Sequence, residues 1–224
     1  MNKEQFESIK GLHHYDEFMA SIYKSLNITN PASVNSFVPR ILDVVLQNQE
    51  KDPVSMFDHV YDHLKDVWDA SNSLPLNAGW FHGLLPAVFM NALKNNGYPF
   101  TEKDVKEAFM RGLKLPAAGC GFCGICGATA GPGIIVSMVL KSTPFHSDER
   151  TRSLEASLAA TEKLKEIGGV RCCRLSSYVA INETIEILKS YDYTLPQKGA
   201  KENCPINAVN DECNGSICPF FPKN

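Results

Sequence analysis

The sequence predicts an all-α fold, a compact multi-helix domain that carries a Gly/Cys-rich loop and ends in an irregular, Cys-rich C-terminal tail. Apolar residues recur at steps of three and four along most of the chain, which places them on one face of successive helices. No segment alternates apolar and polar residues as a half-buried strand does, and the nearest approach, GIIVSMVL, is long enough to continue a buried helix. From residue 194 the periodicity ends and Pro, Asn, Gly and Cys dominate, which predicts the irregular tail.

Residues 1–78 are predicted to form an N-terminal helical region, with a first helix from residue 15. Asn30-Pro31 and Asp52-Pro53 predict the next two helix starts, because Asn or Asp can cap a helix and Pro fits its first turn. Pro39 is expected to kink or restart the second helix. The third helix carries an apolar stripe of Met56, Phe57, Val60, Tyr61, Leu64, Val67 and Trp68.

Residues 79–224 are predicted to form a cysteine-rich, metal-binding helical domain. The segment WFHGLLPAVFMNALKNNG is apolar nearly all round, as is typical of a central helix buried on several sides, and Gly97 can end it. Thr101 stands three residues before Asp104, a near capping box that predicts the next helix start. Further helices are predicted from near Pro132, at about 151–167 and at about 173–190.

The composition and charge of the chain exclude several classes of function. The 224-residue chain has a formal net charge of −3 and no long Lys/Arg block, so we expect no nucleic-acid partner. It has no run of about 18 apolar residues, so we expect no membrane span. The polar N-terminus lacks the apolar core of a signal peptide, which predicts a cytoplasmic protein. Thiols are kept reduced there, so the eight cysteines are expected to be metal ligands or catalytic groups rather than disulfides.

The stretch CGFCGICGATAGPG holds Cys120, Cys123 and Cys126 at two successive Cys-x-x-Cys spacings. Two such overlapping turns offer three thiolates to one cluster, as in the opening of the bacterial ferredoxin run. The chain departs from that run because Ala130 stands where the fourth cysteine is expected. The loop is therefore predicted to be one wall of a metal site that residues further along the chain complete.

Three glycines, Gly121, Gly124 and Gly127, follow these cysteines and are predicted to contact a cofactor. Without a Cβ they let backbone N–H groups approach sulfur, and such hydrogen bonds help set the stability and potential of a cluster. A helix that starts near Pro132 would point its positive end at the same loop, which favours thiolates, an anionic cluster or an anionic ligand.

The other cysteines form two groups, Cys172 with Cys173, and Cys204 with Cys213 and Cys218. Adjacent helical side chains point about 100° apart, so Cys172 and Cys173 cannot easily share one ion, and one can ligate while the other packs in the core. Arg171 and Arg174 flank the pair and could lower a thiolate's pKa or hold an anionic substrate. The alternative is that both arginines are ordinary surface charges at a helix start.

Three histidines are candidates for the site. His82 lies in the most apolar segment, so it is either a hydrogen-bonded core residue or a base near the site. His59 and His63 are spaced i, i+4 and could bind a metal, but the Glu of an H-E-x-x-H zinc site is missing. They lie opposite the apolar stripe, on what is better explained as a solvated acidic face with Asp58, Asp62 and Asp66.

Four stretches occur in the order and context of the cysteine-rich domain of unknown function 5714: HGLLPAVFMNALKNNG, CGFCGICGATAGPGIIVSM, GGVRCCRLSSYVAI and CNGSICPFF. The chain resembles this family over residues 80–222. The resemblance implies a bacterial or archaeal protein, often from an anaerobe, in a family sometimes attached to S-adenosylmethionine-dependent methyltransferases. The matching positions are His82, Cys120, Gly121, Cys126, Gly127, Gly168, Gly169, Arg171, Cys172, Cys173, Cys213, Cys218 and Pro219.

Two positions depart from the family pattern. Cys123 stands where the family often has an aromatic residue, and Val170 where it often has Pro after the double glycine. On the family pattern the triplet is a pair of ligands with an extra thiol at Cys123. No glycine-rich nucleotide loop follows a strand in this sequence, so we predict no methyltransferase domain. The protein is expected to act alone or with a protein partner in trans, and its N-terminal helices to pack on the cysteine domain or to form a homo-oligomer contact.

The leading hypothesis is an iron–sulfur protein with a [4Fe–4S]-type cluster, whose ligands are drawn from Cys120, Cys123, Cys126, Cys172, Cys173, Cys204, Cys213 and Cys218. A cluster held by three thiolates keeps one iron open to act as a Lewis acid on a small sulfur- or oxygen-containing anionic substrate. Desulfuration, dehydration or sulfur transfer are the natural reaction classes. His82, Cys172 and Cys173 are the candidate catalytic residues, with His82 as proton shuttle. Arg171 and Arg174 are the candidate contacts to the cofactor and the substrate.

Two alternatives stay open. Zinc needs only four thiolates in tetrahedral geometry, so a structural zinc module that serves as scaffold or metal sensor fits the same ligand types. A thiol redox protein fits as well. It would use either Cys172 with Cys173 or two cysteines of the Gly/Cys-rich loop. Iron–sulfur is favoured because zinc proteins usually supply two separated cysteine pairs, whereas this chain offers a triplet and distant cysteines.

Overall fold

The computed structural model describes residues 15–25, 31–67, 77–197, 204, 206–210 and 212–223. The described residues form nine α-helices and no strand, which confirms the all-α prediction. The helices are α1 (Tyr15–Ser25), α2 (Pro31–Gln47), α3 (Pro53–Val67), α4 (Phe81–Asn95), α5 (Glu102–Leu113), α6 (Gly119–Phe122), α7 (Gly127–Val139), α8 (Ser147–Ile167) and α9 (Cys173–Lys189). A 3-10 turn, Gly215–Ile217, is the one regular element described after residue 194, in agreement with the irregular tail. None of the described helices is long and apolar enough to cross a bilayer.

Helix α4 is the central helix, as its sequence predicts. Every residue from Phe81 to Leu93 is buried, and α2, α3, α5, α7 and α9 all pack against it. A helix with neighbours on all sides has no solvent face, which is why this segment is apolar nearly all round. Gly97 ends it with a φ of +86°, and the Tyr98 N–H donates to the Leu93 carbonyl at 3.2 Å.

Asparagines of α4 hold the connection between α2 and α3. Nδ2 of Asn91 donates to the carbonyls of Val45 at 2.6 Å and Asn48 at 3.0 Å. Nδ2 of Asn95 donates to the carbonyls of Asn48 at 3.0 Å and Glu50 at 2.9 Å. Backbone carbonyls at and beyond a helix end need partners of this kind. Side-chain amides thus attach the N-terminal helices to the central helix.

The predicted starts of α2 at Pro31, of α3 at Pro53 and of α5 after Thr101 are confirmed. Asp52 Oδ1 accepts the Ser55 N–H at 2.7 Å, and the Asp104 carboxylate accepts the N–H and the hydroxyl of Thr101 at 2.8 and 2.7 Å. Pro39 does not restart α2, which runs through it without a break. Asn30 and Trp68 lie outside the described residues.

The prediction that a helix begins near Pro132 is wrong, because α7 begins at Gly127 and contains Pro132. Pro132 removes one N–H donor from the helix, and close packing of α7 on its neighbours offsets that loss. A Cβ at Gly131 would lie 2.1 Å from Cδ2 of Leu85 in α4, and one at Gly133 would lie 2.1 Å from Oγ of Ser157 in α8. The small residues of this segment therefore let α7 lie directly against α4 and α8.

One hydrophobic core includes residues from both sides of the predicted boundary at 78/79. Ile41 and Phe57 belong to it, together with Phe89, Phe109 and Ile181. The division of the chain into two regions at that boundary stays a prediction.

Candidate metal centre

A cavity of about 400 Å³ opens where four parts of the chain meet: the start of α4, the Gly/Cys-rich loop, the end of α8 and the start of α9. We call it the cysteine cavity. Its lining includes Cys120, Cys126, Cys172, Cys173, His82 and Arg171. The three glycines predicted to contact a cofactor, Gly121, Gly124 and Gly127, line it as well. The structure therefore brings together residues that the sequence separates by up to about 90 positions.

The Gly/Cys-rich loop is held by its own backbone. The N–H groups of Cys123 and Ile125 both donate to the Gly119 carbonyl, at 2.9 and 3.1 Å. Gly124 turns the chain between them with a φ of +73°, where a side chain would be strained. This turn leaves Cys123 exposed, and it is not among the residues that line the cavity, whereas Cys126 precedes the first residue of α7 and lines it.

His82 packs its ring directly on the start of α7. A Cβ at Gly127 would lie 2.1 Å from Cγ of His82, so the close approach requires glycine. Nδ1 of His82 is 3.4 Å from the Leu115 carbonyl, which can only accept, so Nδ1 carries the proton and Nε2 keeps a lone pair. Burial lowers the pKa of His82 below its ordinary 6.5; the Leu115 hydrogen bond opposes this and Arg171 adds to it. The imidazole is neutral at pH 7.

The two adjacent cysteines stand at the start of α9. Cys172 precedes the first helical residue, Cys173, whose N–H donates to Asn77 Oδ1 at 2.6 Å. Burial raises the pKa of both thiols. The thiols that raise the pKa of Cys173 further are Cys126, Cys120 and Cys172, whereas Cys204 and Cys218 act on Cys172. The pair is thus divided, with Cys173 beside the loop cysteines and Cys172 beside those of the tail.

Arg171 joins the cavity to the C-terminal tail. It binds Glu212 with two hydrogen bonds, from Nε to Oε2 at 3.1 Å and from Nη2 to Oε1 at 2.6 Å. Burial alone would lower the pKa of Arg171, but the bonds to Glu212 raise it, so the guanidinium stays charged. Next to it, Asn214 accepts the Val170 N–H at 2.7 Å and donates to the Val170 carbonyl at 2.9 Å. A Cβ at Gly169 would lie 2.3 Å from Oδ1 of Asn214, which explains one glycine of the pair before Val170.

Arg174 does not line the cysteine cavity. Its side chain is 1% exposed and forms an ion pair through Nη2 with Oδ1 of Asp58, while its Nε donates to the Tyr178 hydroxyl at 3.0 Å. Its guanidinium also lies over the Tyr61 ring, 4.6 Å from the ring centroid. Neither arginine beside the cysteine pair is therefore an ordinary surface charge.

Asp58 is buried, so the prediction that it belongs to a solvated acidic face is wrong. Asp58 is buried because it pairs with Arg174, whose buried guanidinium needs a carboxylate partner. His59 and His63 are exposed, with stacked rings whose centroids are 6.3 Å apart, and neither lines the cavity. The side chain of Asp66 lies outside the described part.

Within the described part of the chain, no three His, Cys, Asp or Glu side chains already stand close enough to hold a metal ion. Any set of cysteine thiols in this part of the chain, at the cavity or in the C-terminal tail, would have to draw together around a metal. Metal binding of this kind is coupled to local folding and to loss of the thiol protons.

A family model for DUF5714, described as a family of unknown function, matches residues 41–221. The chain belongs to this family. The match begins earlier than the cysteine motifs indicate and takes in the C-terminal part of α2 and all of α3. No curated protein and no solved structure shows significant similarity to the chain.

Several residues that lie at the site could not be identified from any sequence pattern. Glu212, Asn214 and Asn77 are single polar residues in irregular segments, and they reach the site through contacts 41 to 96 positions apart. No periodicity or spacing marks such partners. The Cys-x-Gly spacing around Asn214 is the one local feature that could have drawn attention to it.

Proposed function

We propose that the protein binds an iron–sulfur cluster of the [4Fe–4S] type in the cysteine cavity, and that it acts there on a small anionic substrate containing sulfur or oxygen. The observation that carries the proposal is the meeting of Cys120, Cys126 and Cys173 with His82 and Arg171 around one cavity. Three thiols from separate elements, with a base and a cation, form a set that core packing alone does not require.

The chain fits such a group in four respects. The cavity, about 400 Å³, lies within the range of roughly 300–1,000 Å³ that small-molecule and cofactor sites occupy. The N-termini of α7 and α9 begin at its wall, and helix N-termini favour anionic groups. Gly121 and Gly124 line it without side chains, so backbone N–H groups can approach sulfur. Thiolates are the ligands that such clusters take.

When bound through three thiolates, the cluster would supply one open iron as a Lewis acid. The side chains of the protein would bind the substrate, exclude water and transfer protons. Arg171 and Lys165 line the cavity and attract an anionic group, and Phe81 and Leu164 exclude water from part of it. Nε2 of neutral His82 accepts a proton from the substrate and returns it. Desulfuration, dehydration and sulfur transfer are the reaction classes that this set favours.

A thiol redox role is less well supported. Redox-active thiols have lowered pKa values, whereas burial raises those of Cys120, Cys172 and Cys173. A buried thiolate at these positions needs a strongly positive group beside it to offset the cost of burying its charge. A metal centre provides such a charge.

The experiment is to purify the protein without oxygen and quantify iron, sulfide and zinc on the sample used for absorbance and electron paramagnetic resonance. We expect Cys126→Ser and Cys173→Ser to lose iron and sulfide together. Cys123→Ser is the matched control, because Cys123 lies in the same loop but is exposed and outside the cavity lining, and it should keep both. Wild-type protein without iron or sulfide would overturn the proposal.

A further inference from the structure

A second, much smaller pocket lies under the start of α9, and four cysteines line it: Cys172, Cys204, Cys213 and Cys218. We call it the tail pocket. Of these four, only Cys172 also lines the cysteine cavity. Seven of the eight cysteines therefore line one or both of the two cavities, and four of them line the tail pocket.

We propose that the tail pocket is a structural zinc site with the four thiolates of Cys172, Cys204, Cys213 and Cys218, separate from the iron–sulfur site. Four thiolates in tetrahedral geometry form a closed zinc site with no open position. The proposal does not rest on the function assigned to the cysteine cavity.

The size of the pocket favours a single ion over a cluster. Its volume is about 20 Å³, and about 10–15 Å³ is enough for one water molecule. A single ion fits a space of that size, whereas a cluster of four iron and four sulfide atoms does not. The cysteine cavity is the one with room for a cluster.

Two N–H donors already point at the sulfur atoms of this group. The Gly215 N–H lies 3.5 Å from Sγ of Cys213, and Nδ2 of Asn210 lies 3.7 Å from Sγ of Cys172. Gly215 has a left-handed φ of +57°, which glycine adopts at little cost and which turns the chain directly after this contact. Outer-shell donors of this kind orient metal ligands and stabilise their charge.

Arg174 provides an independent observation. It lines the tail pocket, its side chain is 1% exposed, and its Nη1 is buried with no hydrogen-bond partner in the described part of the chain. A buried donor on a permanently charged group is costly unless an acceptor faces it. A zinc ion with four thiolates carries a net charge of −2, and this charge beside the pocket wall would stabilise the buried guanidinium.

The site would staple an irregular segment to the helical domain. The Cys204 N–H donates to the Phe220 carbonyl at 2.8 Å, which joins two separate parts of the tail. Phe220 also packs on Tyr178 of α9, with ring centroids 5.0 Å apart. The tail also carries Glu212, the partner of Arg171 in the cysteine cavity. Zinc in the tail pocket therefore holds in place a carboxylate that keeps the cavity's arginine oriented.

The test measures zinc and iron in full-length protein purified without oxygen. We expect about one zinc per chain in the wild type. Cys213→Ser and Cys218→Ser should lose most of it and keep iron, whereas Cys126→Ser should keep zinc and lose iron. Unchanged zinc in both tail variants, or a tail variant that loses iron and retains zinc, would overturn the proposal.

A second measurement does not depend on the tail variants folding. Cys126→Ser, stripped of metal, is titrated with Co²⁺, which reports four-thiolate tetrahedral coordination through intense visible absorption. The expected result is one equivalent with that spectrum, displaced by zinc. A weak, octahedral spectrum would contradict the tail site and would leave the iron content of the wild type as a separate result.

Discussion

At the scale of single residues, the contact between His82 and Gly127 fixes the position of the imidazole in the wall of the cysteine cavity. The imidazole occupies the space that a Cβ at position 127 would need, and Nδ1 is directed to the Leu115 carbonyl. The ring is therefore fixed between α4 and the loop cysteines, and Nε2 is the ring nitrogen that keeps a lone pair. The glycine is required by this packing, in addition to any contact with a cofactor.

We expect Gly127→Ala to destabilise the protein by about 1–3 kcal/mol, because His82 or α7 must move. Gly121→Ala is the matched control, since no atom lies within 4 Å of its added Cβ. Urea denaturation of the two variants measures the difference. Equal free energies of unfolding would show that the His82 contact does not constrain position 127.

The buried ion pair of Asp58 with Arg174 gives a second prediction at this scale. Asp58→Ala leaves a buried guanidinium without its carboxylate and should cost about 3–5 kcal/mol. Glu107→Ala breaks the exposed pair of Glu107 with Arg111, 2.7 Å apart, and should cost less than about 1 kcal/mol. Thermal or urea unfolding compares them, and similar losses in the two variants would contradict the burial argument.

At the scale of elements, the N-termini of α7 and α9 meet the same cavity, and sequence reasoning predicted only part of this arrangement. Apolar periodicity was sufficient to predict α3 and α9, and the all-round apolar character of α4 was sufficient to predict its central position. Periodicity failed at the start of α7, where small residues make the packing and Pro132 resembles a helix start. Contacts that glycines permit depend on the partner helix, which no local pattern records.

The start of α5 provides a pH-dependent prediction. The hydroxyl of Thr101 lowers the pKa of Asp104 below its ordinary 3.8; burial opposes this, and backbone N–H groups and Lys103 add to the lowering. A carboxyl whose pKa is depressed on folding stabilises the protein above pH 3.8, and this contribution is lost as the pH falls through the folded pKa. We expect the stability difference between wild type and Asp104→Asn to be larger at pH 7 than at pH 3. A difference independent of pH in urea denaturation would contradict it.

At the scale of the whole molecule, the C-terminal tail is attached beside the cysteine cavity, because Glu212 and Asn214 bind Arg171 and Val170, which line it. Its predicted irregularity is confirmed, but its contacts were not predictable. Glu212 and Asn214 pair with residues about 40 positions away, in a segment without periodicity. The prediction of one metal site drawing on all three cysteine groups is replaced by a proposal of two sites, because the three tail cysteines line a separate pocket with Cys172 and none of the three lines the cysteine cavity.

Glu212 tests whether the tail is attached as described. Glu212→Ala removes two charge-assisted hydrogen bonds to Arg171 and should destabilise the protein by about 1.5–3 kcal/mol. Limited proteolysis should then cleave the tail faster than in the wild type, while Glu186→Ala, which breaks an exposed pair with Lys189, should not change the rate. Unchanged tail cleavage in Glu212→Ala would contradict the attachment.

The central claim is that the cysteine cavity binds an iron–sulfur cluster, and the most direct measurement is the iron and sulfide content of wild type and Cys126→Ser purified together without oxygen. The account predicts iron and sulfide in equal amounts, about four of each per chain, in the wild type and neither in the variant. Wild-type protein that contains zinc but no iron or sulfide would contradict it.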